Sequence, residues 1–537
     1  AGYAAIASER AVIFVDGRYT LQVRDEVDTA AFELMRHPDD KLADWLAEAV
    51  PAGTRIAFDP WLHTIEEIEK LTEALALHDI TLDAVTPNPL DAIWTDRPAP
   101  PAPPIVPHPV ALSGRPAAEK RAEIAATLAA RNVAAAVLTL PDSIAWLLDI
   151  RGNDIPRTPV VRAFAILYRN GSVALFTEPG RDTPALRAHL GSDVTLHAPD
   201  AFGPALDALA PGPVLVDPAR SPAAIAARLD AAGIAIERGP DPCILPKALK
   251  TVAQMGGAAM VRFLAWFDRE APAGTLTEIA VVTRLEQIRE ETGALHDISF
   301  ETIAGSGPNG AIVHYRVNET TDRTLAPGEL LLLDSGAQYR DGTTDITRTV
   351  PVGPVDPGSR IPFTLVLKGL IAMSRLRWPE GLAGRDLDVV ARVALWARGL
   401  DYDHGTGHGI GAFLGVHEGP QGLSRRALAT LEPGMILSIE PAFYREGAFG
   451  IRSENLAVVT PAEIPAGGDR PMLGFETLTL APFDRRLIAC DLLDPAEHAW
   501  LDAYHARVEA EIAPLVSPAE AGWLRAACAP LVTATEV

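Results

Sequence analysis

At roughly 150 residues per domain, a 537-residue chain predicts three to four domains, each able to bury a core without a disulfide or metal staple. With 47 Lys and Arg against 70 Asp and Glu, the net charge of −23 argues against a nucleic-acid or anionic-membrane surface, since both need basic patches. A hydrophobic content of 48% excludes wholesale disorder, and no apolar run approaches the ~20 residues of a membrane span.

The opening residues, AGYAAIASERAVIFVDGR, start without Met, as if in mid-domain, and show no basic segment followed by an apolar one, so no signal peptide is predicted. Residues 11–22 (AVIFVDGRYTLQ) read as strand, Asp16-Gly17 turn, strand. Residues 163–176 read the same way around Asn170-Gly171. A helical stretch and RIAFDP, with Asp59-Pro60, are echoed by a helical stretch and VLVDPA, with Asp217-Pro218. Asn88-Pro89 closes the first unit and Asp241-Pro242 the second. The separations are 154 residues (Asp16 to Asn170), 158 (Asp59 to Asp217) and 153 (Asn88 to Asp241). Their agreement predicts two copies of one α/β domain, at 1–96 and 115–245.

The second copy opens near Arg115 with helix, strand and helix; mapped back, that opening falls before Ala1. By this ruler about 40 residues of the natural N-terminus are expected to be absent. Between the copies, residues 97–114 hold RPAPPAPPIVPHP, a stiff proline-rich spacer. A catalytic domain is expected over 246–484, where helical patterns precede short strands carrying His, Asp and Glu. Residues 485–537 read as two amphipathic helices with Trp500, Leu501, Tyr504 and Val508 at near-helical spacing. Three cysteines, far apart and odd in number, suit a reducing cytoplasm.

The chemistry concentrates between residues 314 and 454. ELLLLDSGAQYRDGTTDITRTV puts Asp334 at the end of an apolar strand and Asp345 on the next, with Asp341-Gly342 turning between them. HGTGHGIG sets His404 and His408 in a glycine-rich loop where backbone can approach a ligand. MILSIEPAFY ends an apolar strand at Glu440, and GIRSENLAVV places Arg452 and Glu454 two apart on one strand face. Four carboxylates and an imidazole form a hard, oxygen-rich donor set, suited to Mn²⁺, Co²⁺ or Mg²⁺. Two divalent cations would balance the four negative charges, which could not otherwise stay ionised when buried. They would move the net charge from −23 to −19.

The blocks SGPNGAIVHY, LDSGAQYRDGTTDITRT, HGTGHGIGAFLGVHEGP, IEPAFY and GIRSENLAVV resemble those of the long-form, three-domain Xaa-Pro aminopeptidases. The resemblance implies two tandem creatinase-type α/β domains, an α+β pita-bread catalytic domain and a short helical extension. It implies Asp334, Asp345, His408, Glu440 and Glu454 as ligands of two metal ions, usually manganese, with cobalt or zinc as other candidates. Asp345 and Glu454 would bridge the ions. His314, His404 and His417 would surround the substrate, the last two stabilising the tetrahedral intermediate or gripping the proline side of the substrate, and Glu440 would shuttle a proton. Arg452 would fix the bridging carboxylates.

The implied reaction is hydrolysis of the N-terminal Xaa-Pro bond of peptides with proline second, by a hydroxide held between the ions. A cytoplasmic homodimer is implied as well. KALKTVAQMGGAAMVRFLAWFD is shorter than the family's opening helix by about one to three turns, so a join or deletion is expected near Gly256-Gly257. A prolidase shares the five ligands but usually carries one N-terminal domain; a non-catalytic pita-bread binding module or a metal-free creatinase relative loses ligands that are all present here.

Overall fold

The computed structural model describes residues 2–209, 212–250 and 257–531, which fall into two compact units: 1–16 with 27–247, and 17–26 with 248–537.

The first unit contains both repeats. The second repeat is built on a six-stranded sheet of β6 (Ala135–Leu138), β7 (Phe164–Tyr168), β8 (Val173–Phe176), β9 (Val194–His197), β10 (Val214–Val216) and β11 (Ile236–Arg238), in the order β9-β8-β7-β6-β10-β11. In the first repeat, β1 (Gly2–Ile6), β2 (Ala11–Val15) and β3 (Glu33–Arg36) form one three-stranded sheet. A separate pair is formed by β4 (Arg55–Phe58) and β5 (Thr81–Ala84). Strand directions match throughout: β1–β2 and β7–β8 are antiparallel, while β2–β3, β8–β9, β4–β5 and β10–β11 are parallel. Among the described residues of the first repeat, β6 has no counterpart. Because β6 joins β7 to β10 in the second copy, the first copy's sheet is in two pieces.

One sequence expectation is corrected. Asp16-Gly17 does not turn a hairpin, because no strand follows it; the chain runs through a turn into the helix Gln22–Glu26. The hairpin of the first repeat is β1–β2, with Ile6 opposite Ala11. Asn170-Gly171 does turn a hairpin, with Gly171 at φ 84° where a side chain is disfavoured. The repeated Asp-Pro motifs have a shared structural cause. Asp59 accepts from the Asn88 side chain at 2.9 Å, and Asp217 from the Asp241 amide at 2.9 Å, so each ties a strand end to the segment that closes its repeat.

In the second unit, β12 (Ile303–Ser306), β13 (Leu330–Ser335) and β14 (Ile346–Pro351) make one antiparallel sheet. β15 (Ile436–Ile439) pairs with β18 (Asn455–Glu463), which pairs with β19 (Met472–Thr477), and β16 (Ala442–Arg445) with β17 (Phe449–Arg452). Their apolar residues pack with the helix Pro357–Ser374 into a core holding Phe363, Leu367, Leu437 and Ile451. Each such side chain contributes about 1.5–3 kcal/mol by leaving water. The tail forms helices Pro495–Ile512 and Pro518–Ala527, and Leu501, Tyr504 and Val508 join the same core. The segment expected to carry a join lies partly at 251–256, outside the described residues; the helix beyond it is Gly257–Glu270.

Candidate metal centre

Each acidic residue of the centre stands where a strand ends. Asp334 is the fifth residue of β13, opposite Thr347 of β14, and Asp345 immediately precedes β14. The connection turns at Arg340-Asp341, with Tyr339 opposite Gly342, which brings the two carboxylates to one place. Glu440 follows β15, and its amide donates to the Thr406 carbonyl at 2.7 Å.

A second expectation needs correction here. Arg452 and Glu454 do not lie on one continuous strand. Arg452 ends β17 opposite Ala442, whereas Asn455 begins β18 opposite Ile439. At the break the chain changes partners, and the Ser453 amide bonds the carbonyl of Pro441, a residue with no N–H to give a ladder. Two interruptions thus face each other, presenting Glu440 and Glu454 inward.

His408 is placed by the glycine loop. Gly407 pairs with Leu423, and a Cβ at Gly407 would collide with the Ser438 carbonyl oxygen, so only glycine permits this approach. The His408 amide donates to Ser438 Oγ at 3.0 Å, and ring Nδ1 lies 3.1 Å from the Gly409 carbonyl. With Nδ1–H donating there, Nε2 keeps its lone pair toward the acids, 3.5 Å from both Asp345 Oδ2 and Glu440 Oε1. Asp345, His408 and Glu454 each offer a ligand atom within 4.8 Å of the others.

Burial, and after it the charges of Glu454, Asp334 and Glu440, push the Asp345 carboxyl well above the usual range. Glu454 is raised likewise, by burial first and then by Asp334 and Glu440. Burial also lifts Glu440 to about 7. The His408 imidazole is driven well below its ordinary value by burial and by His417, so it is neutral. Asp334 Oδ1 and Asp345 Oδ1 are buried without a hydrogen-bond partner among the described residues. Crowded acids with orphaned oxygens and a neutral imidazole fit divalent cations, which would bind those oxygens and relieve the repulsion.

The surrounding residues orient the acids. Arg452 donates to Asp334 Oδ2 at 2.7 Å and to the Tyr444 hydroxyl at 2.6 Å, and Thr347 Oγ1 donates to Glu454 Oε2 at 2.7 Å. Tyr444 in turn meets His404 Nε2 at 2.9 Å, while His404 Nδ1 meets the Gly405 carbonyl at 2.8 Å. Burial holds His404 down at about 3. The His417 ring lies edge-on to His408, centroids 4.1 Å apart, at an exposed position. The Nδ1 of His314 is 2.9 Å from the Tyr19 hydroxyl. Tyr19, Thr347 and Tyr444 were not singled out from the sequence; Thr347 and Tyr444 lie inside the TDITRT and IEPAFY blocks, which was the available signal.

The fold and the centre define a carboxylate-rich metallohydrolase. Residues 247–461 match the model of metallopeptidase family M24, and 471–531 that of its C-terminal region. Residues 1–88 and 96–254 match two models of the creatinase/prolidase N-terminal domain. A probable Xaa-Pro aminopeptidase P of Talaromyces stipitatus is 36% identical over 95% of this chain and 81% of its own length; that of Aspergillus niger is 35% identical over 95% and 87%. An X-prolyl aminopeptidase from Caenorhabditis elegans, described as cytosolic with a di-nuclear active site, superposes with a TM-score of 0.93 at 32% identity, covering 99% of this chain and 90% of that one. A prolidase from Pyrococcus horikoshii, at 22% identity and a TM-score of 0.52, covers 69% of this chain and shares the fold. The chain belongs to the Xaa-Pro aminopeptidase P family.

Proposed function

We propose that this chain is a two-metal exopeptidase that removes the first residue from peptides with proline second. The observation that supports the reading is the gathering of Asp345, His408 and Glu454 within 4.8 Å of one another, with Glu440 3.5 Å from His408 and orphaned carboxylate oxygens at Asp334 and Asp345. Asp334, Asp345, His408, Glu440 and Glu454 would hold two divalent ions, manganese first among the candidates and cobalt or zinc after it. When bound, such ions supply a nucleophilic water at neutral pH and polarise a carbonyl oxygen.

The chain's own residues supply the rest. Glu440, half-buried with a carboxyl near neutrality, can carry a proton from the water to the departing proline nitrogen. Arg452 and Thr347 hold Asp334 and Glu454 in place, so the ligand geometry exists before substrate arrives. His404, neutral and backed by Tyr444, would line the proline side together with His314 and His417. An Xaa-Pro bond lacks an N–H and restricts φ, so general peptidases bind it poorly and a dedicated site is chemically sensible.

The domain boundaries expected from the sequence, 1–96, 97–114, 115–245, 246–484 and 485–537, belong to this reading. So does a cytoplasmic homodimer without nucleic-acid or membrane partners. Three free cysteines support the location, and no helix among the described residues is long and apolar enough to cross a membrane. The test is hydrolysis by metal-stripped protein during titration with Mn²⁺, Co²⁺ and Zn²⁺. Release of Xaa from Xaa-Pro-Yaa on metal addition is expected. Cleavage of Xaa-Pro dipeptides alone would make the protein a prolidase, and no cleavage with any metal would defeat the enzyme reading.

A further inference from the structure

The helix Pro495–Ile512 lies in the C-terminal region, yet one of its side chains reaches the strand that follows Asp345. Thr347 and Arg348 are neighbours on that strand, β14, so their side chains point to opposite faces. The Thr347 hydroxyl turns to the centre and donates to the Glu454 carboxylate at 2.7 Å. Arg348 turns away from it and is 1% exposed. Its Nη1 donates to the carbonyls of Thr347 at 2.9 Å and Glu454 at 2.6 Å. Its Nε donates to the Pro482 carbonyl at 3.1 Å. Its Nη2 donates to the Ala481 carbonyl at 2.7 Å and to the Tyr504 hydroxyl at 3.1 Å. Tyr504 in turn donates between the carbonyls of Ala481, at 2.8 Å, and Thr479, at 3.0 Å.

A buried arginine with its donors filled is ordinarily scaffold, but the Glu454 carbonyl is no ordinary acceptor. Glu454 stands in the break between β17 and β18, outside both strands. A buried carbonyl there needs a donor that no neighbouring strand supplies, and Arg348 is that donor. Glu454 is therefore held twice from β14, by Thr347 at its carboxylate and by Arg348 at its backbone. Fixing both ends of the residue sets the direction of the carboxylate before an ion arrives. The guanidinium plane is itself set from the far side. Its carbon lies 4.1 Å from the centre of the Phe483 ring, and a planar fork bonds several carbonyls at once as a lysine cannot. The Tyr504 ring is stacked on Trp500 at 5.3 Å and packed beside Phe483 at 5.4 Å, so its hydroxyl has a fixed place.

We propose that the C-terminal helix is a working part of the metal centre: Tyr504, acting through Arg348, fixes the backbone at Glu454 and so the aim of this ligand. The proposal rests on the two-metal exopeptidase reading. It makes Arg348 and Tyr504 positioning residues, with no contact to substrate.

The test measures Mn²⁺ binding to the metal-stripped full chain by calorimetry, and hydrolysis of Ala-Pro-Ala at saturating Mn²⁺. Tyr504→Phe removes one hydroxyl and keeps the stacked ring, so it is expected to fold, which circular dichroism checks. It should weaken the weaker Mn²⁺ site by about tenfold and lower kcat by about threefold or more, with KM changed less than about twofold. Arg348→Met, of similar length without donors, should lose about a hundredfold in Mn²⁺ affinity, and Arg348→Lys should recover part of that loss. Wild-type Mn²⁺ affinity and kcat in Tyr504→Phe, whatever its stability in urea, would overturn the proposal by making the helix scaffold alone. A change confined to KM would overturn it as well, by placing the effect on the substrate. Wild-type protein that binds no Mn²⁺ or leaves Ala-Pro-Ala intact would instead overturn the parent reading, and this proposal with it.

Discussion

The second repeat and the catalytic unit treat buried charge in opposite ways. In the repeat, Arg181 faces Asp154 with side chains 1% and 0% exposed, and Lys120 faces Asp149 at 2% and 1%. Each cation has its anion, so the pairs need nothing from outside. In the catalytic unit Asp334, Asp345, Glu440 and Glu454 crowd together, and Arg452 is the guanidinium bonded into the cluster, through Asp334. An unmatched excess of anions is costly to bury, and a fold that keeps one is prepared for cations. Matched charge marks scaffold here, and mismatched charge marks the working site.

Substitutions on the two sides should therefore differ in sign. Asp345→Asn or His408→Ala is expected to reduce peptide hydrolysis to background. Removing a charge from the cluster relieves repulsion, so metal-free Asp345→Asn should unfold at the same denaturant concentration as wild type or a higher one. Near-wild-type turnover, or a large loss of metal-free stability, would break the comparison. Arg181→Ala is expected to do the reverse. It strands Asp154 as a buried lone charge and should lower stability by about 3–5 kcal/mol in urea denaturation, while leaving kcat unchanged below the unfolding transition.

A buried ionisable group can also simply stay neutral, and His505 takes that course. Its Nε2 accepts from the Phe483 amide at 3.2 Å, and burial holds it down at about 3. The unfolded chain binds this proton below about pH 6.5 and the folded one does not, so stability falls as pH drops through that value. The slope from this residue is about 1.4 kcal/mol per pH unit. Urea titrations between pH 5 and 7 should show a shallower decline in His505→Gln than in wild type; parallel lines would show that His505 is not kept neutral by the fold.

Much of the catalytic unit is legible because its cues are local. The Asp341 region turns a hairpin, Pro441 ends a ladder, and the tail's apolar spacing makes two helices. The same kind of cue misled at Asp16-Gly17. An apolar strand followed by Asp-Gly has hairpin chemistry, but β2 takes β1 on one edge and the distant β3 on the other, leaving no edge for a strand after the turn. The continuity assumed between Arg452 and Glu454 failed for a related reason, since the change of partner depends on β15 and β16.

The sequence by itself determined the repeat, the tandem order of its domains and the residue types of the centre, because periodicity, turn chemistry and motif blocks are written within a few residues of each other. It could not determine that Tyr19 meets His314 across 295 positions, that Thr347 braces Glu454, or which buried acids have partners. Those facts depend on which strand ends meet and how much water is left between them. Only the folded chain decides that, because desolvation and charge pairing act through space.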